Sequence, residues 1–144
     1  MSTHRISFKD LMAIFGLVLC VPLGAALAQI APATEQRAFA DRMMVCNAHA
    51  LLLKMYAQGT VPSHIPGPAP YRDLALAADK DYAAQRMNRS HYRDLALEEL
   101  EPLLNTRPLE GLSEAQKDEH VYAMWSQLIE SCNAAAAQPP SNSP

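Results

Sequence analysis

Apolar residues recur along this chain at helical spacing. Phe39, Met43, Cys46, Ala50, Leu53 and Ala57 step by four and three, drawing one stripe along a helix predicted over 34–58. Thr34 is its expected N-cap, just after Pro32, and Gly59 its expected terminator. Tyr71, Leu74, Ala75, Ala78 and Tyr82 draw a second stripe. Tyr92, Ala96, Leu100 and Leu103 draw a third, and Val121, Trp125, Leu128 and Cys132 a fourth. No stretch alternates with the period of two that marks a half-buried strand. The pattern predicts an all-α fold, a small four-helix bundle with helices at about 34–58, 71–87, 91–104 and 113–134.

The limits of these helices follow from local chemistry. Residues 59–70 hold four prolines, which forbid a helix and make a stiff connector. From Tyr71 to Glu101 there is no glycine or proline. A single helix there would centre Arg89 on the apolar stripe, and burying an unpaired guanidinium is costly. Asn88 and Ser90 offer a C-cap and an N-cap, so the break is placed at 88–91. Pro102 marks the last turn of the third helix. Ser113-Glu114-Ala115-Gln116 has the form of a capping box and starts the fourth. Residues 135–144, small side chains followed by Pro and Ser, are expected to form a disordered tail.

The first 28 residues are of another kind. His4, Arg5 and Lys9 precede an apolar run from Leu11 to Leu19, and Pro22 and Gly24 lead into Ala26-Leu27-Ala28, a small-x-small cleavage pattern. This is the layout of a signal peptide, with the cut after Ala28 and a domain over 29–134. Two other readings use the same residues. Left uncut, residues 11–30 are long enough to anchor the chain in a membrane. Leu17-Val18-Leu19-Cys20 approaches a lipobox but lacks the small residue before the cysteine. The expected location is therefore periplasmic or extracellular, with membrane contact only through an uncleaved or lipidated leader.

Export changes the meaning of the cysteines. Loss of the leader removes Cys20 and leaves Cys46 and Cys132, each on the apolar stripe of its helix. A pair in an oxidising compartment is expected to form a disulfide, here joining the first helix to the last. The leader also takes Arg5, Lys9 and Asp10, so the formal net charge of −3 becomes −4. That balance opposes non-specific nucleic-acid binding, which feeds on clustered positive charge.

Few side chains suggest chemistry. Cys46 and His49 lie one helical turn apart near Met43, an arrangement that suits a soft metal or a thiol nucleophile only while Cys46 is reduced. His49 is placed at the boundary of the stripe. No C-x-x-C-H haem signature, phosphate loop, H-E-x-x-H or Ser-His-Asp order is found, so neither enzymatic activity nor a cofactor is expected. The most distinctive motif is a repeat: Tyr-Arg-Asp-Leu-Ala-Leu stands at 71–76 and again at 92–97. Tyr and Arg are residue types that anchor protein interfaces, so Tyr71, Arg72, Tyr92 and Arg93 are the candidate partner-binding residues. The sequence thus points to a small exported helical protein that binds a protein of the cell envelope. A ligand- or metal-binding module on Cys46, His49 and the methionines is the alternative.

Overall fold

A computed structural model of the chain describes residues 23–58 and 63–141. The described residues form five helices and no strand: α1 (Leu23–Tyr56), α2 (Pro68–Ala78), α3 (Lys80–Arg86), α4 (Ser90–Leu104) and α5 (Glu114–Ala136). The chain divides into two units, residues 1–30 and 31–144. Of the first, residues 23–30 are described, and they are helical. The apolar run at 11–19, Cys20 and most of the expected leader lie outside the described residues. Among the described residues no helix is long and apolar enough to cross a membrane.

The second unit is built around α1. Met43, Met44, Val45 and Cys46 are buried in succession, with Ala48, His49 and Ala50 close behind. Four consecutive buried positions cover every face of a helix, so α1 is enclosed along this stretch. Its core is completed by Tyr71 and Ala75 of α2, Ala83 of α3, Tyr92, Ala96 and Leu100 of α4, and Trp125, Ile129 and Cys132 of α5. Cys46 and Cys132 stand at disulfide distance, with Sγ atoms 2.09 Å apart, and tie α1 to α5.

Five helices replace the expected four because 71–87 is two helices. At Asp79 the backbone is extended, and the Asp79 side chain accepts the Tyr82 N–H at 3.0 Å, capping α3 as α2 ends. Aspartate is a strong N-cap because its carboxylate meets donors that have no partner inside the helix. The expected break after residue 87 is present, with α3 ending at Arg86 and α4 starting at Ser90. Pro102 sits in the last turn of α4. The capping box is formed: Gln116 N–H donates to Ser113 Oγ at 3.4 Å, and Ser113 N–H donates to Gln116 Oε1 at 3.0 Å.

Other boundaries differ. α1 does not start at Thr34 but runs back through Pro32 to Leu23, since Ala25, Ala26, Leu27 and Ala28 favour helix. Pro32 has no N–H for the carbonyl of residue 28, so the ladder lacks that rung. α1 ends at Tyr56, and Gln58 takes the left-handed conformation (φ 50°) expected of Gly59, which lies outside the described residues. The connector ends at Gly67, because Pro68 is tolerated in the first helical turn, where its missing N–H costs nothing. The last helix runs past its expected end at residue 134. α5 reaches Ala136, and Pro139 and Pro140 border a small cavity with Phe39 and Leu74.

Candidate functional site

Two polar clusters fix the helices around α1. In the first, Arg42 of α1 donates from Nη1 to both oxygens of Glu99 on α4, at 2.7 and 2.9 Å, and from Nη2 to Ser131 Oγ on α5 at 3.3 Å. His49, two turns further along α1, shares the Glu99 carboxylate at 3.0 Å. A carboxylate held by Arg42 only accepts, so His49 Nε2 carries the proton and donates it. His49 Nδ1 is then buried with no partner. A second proton would sit on Nδ1 in an apolar interior. Burial accordingly lowers the His49 pKa, against the opposing pull of Glu99. The hydrogen bonds from His49 and Arg42 hold the Glu99 carboxyl below its ordinary range despite the desolvation that raises it.

In the second cluster, Asp41 accepts two phenols. Tyr82 of α3 donates to Oδ2 at 2.8 Å, and Tyr92 of α4 donates to Oδ1 at 2.6 Å. Burial and the aspartate both push these phenols above their ordinary pKa. Arg86 and Arg37 lie over the Tyr82 ring at 4.3 and 5.4 Å, and Arg37 also pairs with Asp79 at 3.2 Å. At the far end of α1, Tyr56 donates to Asp118 of α5, which raises its pKa to about 12. Its ring stands 5.6 Å from Trp125 and 5.8 Å from Tyr122.

The structure places the expected site residues differently from a surface patch. Tyr71 and Tyr92 are 2% and 4% exposed, and their hydroxyls are committed to Asn133 (2.6 Å) and Asp41. They are core residues and are not available to a partner while the domain is folded. Arg72 and Arg93 are exposed, each paired with the following aspartate, Asp73 and Asp94. The repeat therefore has a packing role. In both copies Tyr and the Ala four residues on, Tyr71 with Ala75 and Tyr92 with Ala96, are buried against the core. Met43, Cys46 and His49 are all buried on α1, and His49 lies inside the core instead of at its boundary. Joined to each other, Cys46 and Cys132 offer no thiolate to a metal or a nucleophile. Among the described residues no group of three His, Cys, Asp or Glu is placed to hold a metal ion.

The feature open to a partner is a groove of about 370 Å³ beside the C-terminal half of α1. Met44, Ala48, Leu51, Leu52 and Met55 of α1 line it together with Met87. Its other wall is the α3–α4 turn and the first turn of α4, with Asn88, Arg89 and Arg93. Met55 is 73% exposed and Leu51 44%, so apolar surface faces solvent here. The sequence carries a signal for this groove that the main stripe masks. Met44, Ala48, Leu51 and Met55 form a second line of helical spacing beside Met43, Cys46, Ala50 and Leu53. Asp41 and Arg42 were not singled out in the sequence, because their partners are more than 40 residues away. No family model matches the chain, and no curated protein or solved structure matches it.

Proposed function

We propose that this chain is an exported, non-catalytic helical protein that acts by binding another protein of the cell envelope, as an inhibitor, immunity-type or accessory protein. The observation that carries the reading is the apolar groove along α1, where buried Met44 and Ala48 lead to exposed Leu51 and Met55 beside a rigidly tied core. An exposed apolar strip rimmed by polar residues is characteristic of a protein-binding surface. The contact surface proposed is this groove, with Arg93 at its rim. Export is supported by the leader pattern and by a cysteine pair suited to an oxidising compartment.

Two measurements test the reading. Intact-mass analysis of protein from its native compartment is expected to show loss of residues 1–28 and no alkylatable thiol before reduction. Retention of Met1, or two free thiols, overturns export. A photo-crosslinking residue at Leu51 is expected to give a discrete protein adduct in cells, while the same residue at exposed Glu130 on α5 gives none. Identical adducts at both positions, or none at Leu51, overturn the groove as the contact surface.

A further inference from the structure

We infer that the groove takes one amphipathic helix of the partner, about three turns long, carrying acidic side chains at the end that meets Arg89 and Arg93. The inference rests on the protein-binding reading above and specifies the chemistry of the partner.

Length comes first. Met44, Ala48, Leu51 and Met55 step by four, three and four, so they make a straight line over three turns of α1, about 16 Å long. A helix laid along that line offers apolar residues at i, i+3 or i+4, and i+7 to the same stretch. Width comes from the opposite wall. Met87, Asn88, Arg89, Ser90, Tyr92 and Arg93 form that wall, so the occupant lies between this turn and α1. Three of the apolar side chains are methionines, which repack around a helix face of differing sequence at little cost.

The open side decides between a helix and a small amphiphile. A small molecule is normally held in a site that buries most of its surface. With Met55 and Leu51 exposed as they are, this groove leaves one side of any occupant in water. A helix tolerates that, because its outer face is polar.

Charge fixes the remaining feature. Among the described residues no acidic side chain lines the groove, although the chain as a whole carries a net charge of −3. Arg89 is exposed, and its side chain engages no hydrogen bond or ion pair among the described residues. Arg93 is held only by its neighbour Asp94, at 3.3 Å between two side chains more than half exposed. Such a pair is worth little and is readily exchanged. α4 has no acidic residue in its first turn and no side-chain cap, so its amino end adds to the positive potential of this rim. A carboxylate on the partner completes all three, and a lysine at the same place is repelled.

The test uses the full oxidised protein and two labelled, amidated 14-residue peptides of identical leucine pattern. One carries three glutamates at one end, the other three lysines there. Fluorescence anisotropy at low salt is expected to show the glutamate peptide binding at least tenfold more tightly. The preference should vanish in Arg89→Gln/Arg93→Gln and shrink with added salt. Met55→Glu, at a site too exposed to disturb folding, should weaken binding of the glutamate peptide at least tenfold. Equal affinity for the two peptides overturns the acidic partner while leaving the groove as a docking site. Binding of neither peptide, alongside a specific crosslink from Leu51 in cells, overturns the helical occupant but not the protein-binding reading. Tighter binding of dodecanoate monomers than of either peptide overturns it in favour of a small anionic amphiphile.

Discussion

Reduction of the Cys46–Cys132 bond is expected to remove a large share of the stability of the domain. The two thiols of the reduced protein would occupy the same buried positions, so the contacts of the folded state change little. The effect lies mainly in the unfolded chain. The bond links residues separated by 86 in sequence. Opening a loop of that size releases conformational entropy worth about 4–5 kcal/mol at 25 °C on the chain-entropy model. Domains of this size have total stabilities of about 5–15 kcal/mol. Urea unfolding of the protein with and without reductant gives the comparison directly. The single tryptophan, Trp125, is buried beside Tyr56 and reports the transition by fluorescence. The unfolding free energy is expected to fall by about 3–5 kcal/mol on reduction, and Cys46→Ala/Cys132→Ala should fall at least as far. A loss below about 1 kcal/mol would refute the argument, since the restricted loop would then contribute almost nothing to the unfolded state.

Stability is also expected to decline on acidification. The folded-state pKa of His49 lies below its ordinary 6.5, so the unfolded chain takes up that proton first and stability falls as pH drops below about 6.5. Glu99, also lowered, adds a loss below about 4.5, and urea titrations from pH 7.5 to 4 should show both, with the upper part flattened in His49→Gln. At alkaline pH the raised phenols of Tyr71, Tyr82 and Tyr92 favour the folded state below pH 10 and lose that contribution as pH rises beyond it, so phenolate absorbance should appear together with unfolding. Asp41→Ala should cost about 1–3 kcal/mol by leaving the buried Tyr92 hydroxyl unpaired, and adding Tyr92→Phe should recover part of the loss in the same urea assay. Ala96→Leu and Ala75→Leu should each cost about 1–3 kcal/mol through overpacking, with similar values if the two repeat copies are equivalent.

What was legible in the sequence was local or followed from a sharp constraint. The capping box at Ser113 needs only four consecutive residues, and it formed as expected. The cysteine pairing followed from two cysteines on apolar stripes, and the two sulfurs meet. The extra break at Asp79 was not read, because no glycine or proline marks it. It depends on Asp79 capping α3 while Tyr82 reaches Asp41, a contact 41 residues away. His49 was assigned to a boundary because a stripe argument assumes one buried face, whereas α1 is buried on several. The repeated Tyr-Arg-Asp was read as surface chemistry for a related reason. Residue type suggests an interface anchor, but a tyrosine four residues before an alanine is also a good way to seat one helix on another.

The same contacts explain why the groove exists. Asp41 is a single acceptor for α3 and α4, so Tyr82 and Tyr92 draw both helices to one level of α1. Glu99 fixes α4 again through Arg42 and His49, and the Cys46–Cys132 bond fixes α5 over the middle of α1. Beyond these anchors α1 continues to Tyr56, where Asp118 secures α5. Among the described residues, the wall facing Met44, Leu51 and Met55 is the turn from Met87 to Arg89 and the start of α4. α3 spans seven residues between the Asp79 cap and the turn before Ser90, and that turn forms the groove wall across from exposed Leu51 and Met55.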